Sequence, residues 1–228
     1  MKRIGKMIVV FILIHFSFFV HSQNKSFCIG SNHCGLNLGD PLNSKGLKLN
    51  LFDKNIHSLS GVNLALSCST ENTRGFSLGI FAVDSKNYDG LAIGGLFVSS
   101  DSIFNGIGFG GFFVGSESKF NGIGVAGLSV VSDTMNGVFF SIYGNTKWNH
   151  SLIKELNGVA IGGIAGINCE TINGLAIGAL NYSIHQKGVT IGIANYTENL
   201  NGFQIGLWNV VANKKRFKRM PFVNFNFE

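Results

Sequence analysis

Twelve glycines, each followed at one and at three residues by a large apolar side chain, divide this chain into units of nearly one length. They are Gly35, Gly46, Gly61, Gly75, Gly90, Gly106, Gly122, Gly137, Gly158, Gly174, Gly188 and Gly202. Successive spacings are 11, 15, 14, 15, 16, 16, 15, 21, 16, 14 and 14 residues, so only the first step and the one from Gly137 to Gly158 leave the range 14–16. Self-similarity at a fixed period is the signature of a stack, in which a unit that cannot bury its apolar side alone buries it against its neighbours.

The columns of the repeat carry the detail. One residue after each glycine stands a large apolar side chain, from Leu36 and Leu47 through Ile107 and Ile123 to Val189 and Phe203. The same holds three residues after it, from Leu38 to Ile205. The residue between them varies, from Asn37 and Lys48 to Ala92, Thr190 and Gln204. Alternation of this kind is the mark of a β-strand. Four residues after the glycine the side chain is small, as at Gly94, Gly110, Ala126, Ser141 and Gly178. Two residues before it another apolar group recurs, as at Leu59, Tyr88, Phe104, Phe120, Met135, Leu156, Ile172 and Leu200. On a straight strand, residues three apart face opposite sides. For this last column to share one core with the columns one and three after the glycine, the chain must turn a corner between them. The pairs Asn105-Gly106, Asn121-Gly122, Asn136-Gly137, Asn157-Gly158, Asn173-Gly174 and Asn201-Gly202 consist of the residues that tolerate such a corner. The expected interior is therefore a pile of the large aliphatic columns.

Two all-β architectures fit these units. In a parallel β-solenoid each unit is one coil, and like residues stack about 4.8 Å apart. In an antiparallel outer-membrane-type β-barrel each unit is a strand and a turn, and alternate units are inverted. Inversion should make alternate units differ, and they do not, so the solenoid of about twelve short coils is the expectation and the barrel the alternative. The barrel has its own supports: strands near the length of a membrane crossing, Tyr182, Tyr196 and Trp208 as girdle residues, and the alternating ending Phe222 to Phe227.

The flanks read differently from the array. Residues 1–22 have the form of a secretory signal peptide, with Lys2, Arg3 and Lys6 before an apolar core from Met7 to Val20. Residues 23–45 and 213–228 are expected to be N- and C-terminal caps around the repeat array of 46–212, because the end coils of a stack must be covered. The formal charge of +6 falls to +3 without the three basic residues of the signal, and Lys214, Lys215, Arg216, Lys218 and Arg219 exceed even that. This is no nucleic-acid-binding balance. Exported chains meet oxidising conditions, and Cys28 and Cys34 are the one cysteine pair close enough in sequence to staple a cap, while Cys68 and Cys169 stand far apart.

Chemistry-bearing patterns are sparse. His33, His57, His150 and His185 show no ligand spacing, and no nucleophile elbow or phosphate loop is present. No cofactor, metal or catalytic residue is therefore assigned. The acids Asp84, Asp101, Glu117, Asp133, Glu170 and Glu198 recur in turns and would form a row in a stack, but they sit among serines and threonines as solvated turns do, and no calcium-repeat signature accompanies them. Asn181, Asn195 and Asn209 share a column and are expected to form a hydrogen-bonded ladder. The long step from Gly137 to Gly158 holds an insertion, and loops extruded from a rigid array often carry recognition. Trp148 and His150 within it are the candidate contact residues.

The units Gly174 to Asn181 and Gly202 to Asn209, with the ending Pro221 to Phe227, resemble a family of bacterial surface-repeat proteins with signal peptides and short Gly-Leu-x-Ile-Gly-Leu-x-Asn repeats. The middle units depart from that pattern, with Phe97, Phe113 and Ser129 where its asparagine would stand. The resemblance implies a Gram-negative envelope location and no known activity. The expectation for function is an exported, non-enzymatic repeat protein at the cell surface or outer membrane, structural or adhesive. Its partner classes are envelope components or a host or matrix surface, with membrane association open and nucleic acid set aside. The rivals are a small outer-membrane barrel serving as anchor or pore and, more remotely, a secreted glycan-active solenoid.

Overall fold

The computed structural model describes residues 27–31, 34–39, 42–53, 56–145 and 152–227. Fourteen strands follow in order. They are β1 (Phe27–Ser31), β2 (Cys34–Leu38), β3 (Asn43–Leu49), β4 (Ile56–Gly94), β5 (Phe97–Gly110), β6 (Phe113–Ser116) and β7 (Lys119–Ala126). There follow β8 (Ser129–Val131), β9 (Thr134–Ser141), β10 (Gly144–Asn145), β11 (Ile153–Gly162), β12 (Gly166–Ile177), β13 (Leu180–Val211) and β14 (Arg219–Asn226). Among the described residues there is no helix.

The chain is a parallel β-solenoid. Glycine lies on glycine from rung to rung: Gly35 on Gly46 and Gly61, then Gly90 on Gly106, Gly122, Gly137, Gly158, Gly174 and Gly188. Neighbouring strands of the array run in the same direction, and the sheet runs from β1 to β14 without those two pairing. The antiparallel barrel is thereby excluded. The stack makes about nine turns, against twelve units in the sequence. Nine spacings lie between Gly61 and Gly202, and Gly35 and Gly46 lie on the parallel rungs before them. Nine turns at about 4.8 Å give a rod of roughly 43 Å.

Both ends of the ladder are closed by reversal. Strand β1 lies antiparallel on β2, and β14 lies antiparallel on β13, from Gly202 opposite Asn226 to Val210 opposite Arg219. A reversed strand uses the end coil's free N–H and C=O groups and ends the repeat. In the first hairpin the register sets Cys28 opposite Asn37 and Cys34 opposite Ser31. The side chains of Cys28 and Cys34, on which the expected staple depends, lie outside the described residues.

The interior differs from the sequence expectation in one decisive way. The aliphatic columns one and three residues after each glycine point outward, whereas the variable column between them and the column two before the glycine point inward. Phe104, Phe120, Met135, Leu156 and Ile172 are fully buried, as are Ala92, Phe139, Ala160 and Ala176. Ile107, Phe109, Ile123, Val138 and Phe140 are exposed on the outside. No corner occurs at Asn-Gly: pairing runs unbroken from Ile103 opposite Lys119 to Gly110 opposite Ala126. The glycines there do adopt left-handed extended φ, between +97° and +144°. They are needed because a Cβ at each would meet the carbonyl of the glycine one rung before. The corner falls instead at the small residues four and five positions on, where a Cβ on Gly94 would run into the Phe97 carbonyl oxygen.

Volume explains the inversion. Two sheet faces about 10 Å apart leave room for one large side chain per coil beside a valine from the far face. Phe104 and Phe120 stand in that place, opposite Val114 and Val130, and the variable column is Gly108 and Gly124. A Cβ on Gly108 would stand 2.8 Å from Val114 Cγ1 and 3.3 Å from Phe104 Cζ. In the next coil Met135 takes less width, and Phe139 fills the variable position. The large rings stack along the rod axis. Tyr88 lies 4.9 Å from Phe104, Phe104 lies 4.5 Å from Phe120, and Phe139 meets Phe120 edge-on at 5.3 Å. Each fully buried side chain of this kind contributes about 1.5–3 kcal/mol.

Toward both ends the interior turns polar. At the first coils Lys48 and Asp53 form an ion pair with both side chains fully buried. Asn63 donates to the other carboxylate oxygen of Asp53 at 2.6 Å. At the last coils Gln204 donates to Gln186 at 3.2 Å. The expected asparagine ladder is present there, Asn181 donating to Asn195 and Asn195 to Asn209, each at 2.8 Å.

Candidate functional site

The two outward apolar columns make one long side of the rod, and a second asparagine ladder runs beside them. Asn105 donates to Asp89 and Asn121 to Asn105, both at 2.6 Å. Asn136 donates to Asn121 at 2.7 Å, then Asn157 to Asn136 and Asn173 to Asn157 at 2.8 Å. Each amide satisfies the one before it, so this half-buried polar row asks little of a partner. The ladder and the glycine register continue across the 21-residue step, so the inserted residues leave the stack in register. Trp148 and His150, the contact residues expected from that insertion, lie outside the described residues.

Charge is partitioned around the rod. Starting from each glycine between Gly61 and Gly202, at least the next eight residues contain no Asp, Glu, Lys, Arg or His. Every ionisable group of those coils other than tyrosine and cysteine falls in the second part of the unit. One long edge, where the coil turns at its small residues, is therefore uncharged and apolar. Its most exposed members are Ile80, Ile142, Ile164, Leu180, Ile193 and Leu207. The opposite edge holds the acids. Asp101, Glu117, Glu170 and Glu198 are exposed, Asp84 and Asp133 half-buried. Asp84 accepts a hydrogen bond from Ser99 at 2.6 Å and Asp133 pairs with Lys154 at 2.8 Å. That contact raises the Lys154 pKa. His57 pairs with Glu71 on the same exposed edge. The acids are neutralised or hydrated one by one, and no group of three or more metal-ligating side chains forms among the described residues.

No family model, curated protein or solved structure matches this chain. The site rests on geometry alone.

Buried thiols are chemically quiet. Desolvation pushes both Cys68 and Cys169 from 9.0 up to about 12, and Asp53 adds to the effect at Cys68. A shallow hollow of about 250 Å³ lies at the C-terminal coils against Leu180, Tyr182, Tyr196 and Trp208. Tyr182 and Tyr196 stack there in parallel at 5.2 Å. The polar turn beyond it exposes Lys215, Arg216, Lys218 and Arg219. Sequence reasoning missed the outward columns because hydrophobicity alone was read as burial.

Proposed function

We propose that this chain is an exported, non-enzymatic repeat protein working at the cell surface or outer membrane of a Gram-negative bacterium, in a structural or adhesive role. The observation that carries the reading is the long side of the rod, where two apolar columns stand outward along every coil between Gly61 and Gly202. Monomeric soluble proteins rarely leave contiguous apolar surface of that extent uncovered, and such surface marks contact with another body. A rigid array presents it as an extended surface rather than a pocket. The basic and apolar opening of residues 1–22 supports export. No helix of the described residues is long and apolar enough to cross a membrane, so attachment through this side is the reading adopted.

Protease treatment of intact cells, followed by fractionation, tests the proposal. The chain should be cleaved from outside and recovered with the envelope or the medium. Recovery of intact chain in the cytoplasmic fraction overturns it. Loss of cell-to-surface or cell-to-cell attachment on deletion of the chain supports the adhesive form of the role.

A further inference from the structure

We propose that the apolar edge of the rod seats in the surface of an anionic lipid bilayer, with the rod lying flat and its charged edge toward water. The proposal rests on the surface reading above and names the partner. Three observations carry it.

The first is where exposure is greatest. Along the flat side the outward residues reach at most 45% exposure, at Val138, with Ile107 at 37% and Ile123 at 41%, and many, such as Leu91, Val159 and Leu175, are half-buried. At the corner the values rise to 60% for Ile80, 62% for Ile142, 69% for Ile164 and 63% for Leu207. The apolar surface thus culminates on a convex line. A second copy with a flat face touches a convex line poorly and leaves its flanks wet, whereas acyl chains flow around it. This is the division of faces that makes an amphipathic helix lie in a membrane surface, drawn here on a β-rod.

The second is the placement of aromatic groups. Tyr143 and Trp208, 43% and 51% exposed, adjoin the corner residues Ile142 and Leu207. Tyrosine and tryptophan with one apolar and one wet end favour the headgroup level of a bilayer.

The third is charge and strain at the C-terminal end. Phe222 lies opposite Gly206 in the cap and continues the apolar edge by one rung. Phe217 stands among Lys215, Arg216, Lys218 and Arg219. Both phenylalanines have left-handed φ, 55° and 66°, and both are largely exposed, 73% and 69%. A bulky residue held in that conformation with its ring in water is a costly arrangement. It is accounted for when the ring enters a lipid surface and the adjoining cations meet anionic headgroups.

Flotation of the full chain with vesicles tests this, using phosphatidylcholine alone and phosphatidylcholine with phosphatidylglycerol. The combined variant Ile142→Ser, Ile164→Ser, Ile193→Ser, Leu207→Ser removes four of the six most exposed edge residues without touching the interior, and unchanged circular dichroism and melting confirm the fold. The wild-type chain should float, more strongly with phosphatidylglycerol. The edge variant should lose about tenfold or more of its partitioning. In a Trp148→Phe background, Trp208 emission should shift to the blue on vesicle addition. A control with Glu117→Ser, Glu170→Ser and Glu198→Ser should float like the wild type. The proposal is overturned by a wild-type chain that stays with the aqueous fraction, or by an edge variant that floats as well as wild type. It is also overturned by sedimentation showing a dimer that the edge variant abolishes and vesicles leave intact, which would make the occupant a second copy. A chain exposed on cells that does not float loses this inference and keeps the surface reading. A floating chain retained in the cytoplasm does the reverse.

Discussion

Replacing Phe120 and Ile123 separately by alanine measures which side of the strand faces the core. The two residues are three apart on β7 and carry similar hydrophobicity. Phe120 is fully buried, 4.5 Å from Phe104 and 5.3 Å from Phe139. Its loss leaves a cavity in a two-layer core that cannot collapse, because glycine-on-glycine stacking fixes the rung spacing. A Phe→Ala change of this kind costs about 3–5 kcal/mol, of which each ring contact supplies about 0.5–1.5. Ile123 is 41% exposed. Three carbons at about 0.8 kcal/mol each, scaled to the part that is covered, come to about 1–1.5 kcal/mol. With a urea slope of about 2–3 kcal/mol/M, the midpoint should fall by roughly 1–2 M for Phe120→Ala and by about 0.5 M for Ile123→Ala. Far-UV circular dichroism against urea reads both, provided each variant keeps a single transition of wild-type slope. An Ile123→Ala loss equal to or above that of Phe120→Ala would reverse the assignment of inner and outer columns and refute the volume argument behind it.

Four further outcomes follow from the same structure. Gly106→Ala, forced to hold φ near +130° with its Cβ against the Gly90 carbonyl, should cost at least about 1–3 kcal/mol, seen as a lowered melting temperature. Asn136→Ala removes an acceptor from Asn157 and a donor from Asn121, and a loss of about 1–3 kcal/mol in the same assay is expected. Lys48→Met leaves the Asp53 carboxylate buried without its cation and should cost about 3–5 kcal/mol, while Lys48→Met combined with Asp53→Leu should recover part of it. Desolvation raises the thiols of Cys68 and Cys169 from 9.0 to about 12 when folded. Their contribution is therefore intact below pH 9 and lost as pH climbs from 9 toward 12. Alkaline titration followed by circular dichroism should show this decline, and the double variant Cys68→Ala, Cys169→Ala should lessen it, leaving the part above pH 10 that burial of the Tyr88 phenol, raised from 10.0 to about 12, contributes.

The parallel stack was legible because every unit carries a large apolar residue at the same two columns, from Leu36 to Phe203 and from Leu38 to Ile205. Like on like is what a coil laid on a coil requires, and a meander would have alternated. The Asn181, Asn195 and Asn209 ladder was legible for the same reason. What alternation does not contain is the direction of the core. Period two separates two faces of a strand and leaves open which is inside. The aliphatic columns, taken for the interior, lie outside, because a coil two sheets thick holds a Phe120 beside a Val130 only if the residue between the aliphatic ones is as small as Gly124.

The order of residues along this chain thus determined that it stacks, in which sense, and with which glycines in contact. The pairing of Lys48 with Asp53 inside the first coils, the closure of both ends by reversed strands, and the exposure of the apolar edge were decided by tertiary structure alone. The physical reason is that stacking depends on likeness between units, which a sequence displays. Facing depends on how much volume one coil encloses, and that quantity exists only once the chain has closed on itself.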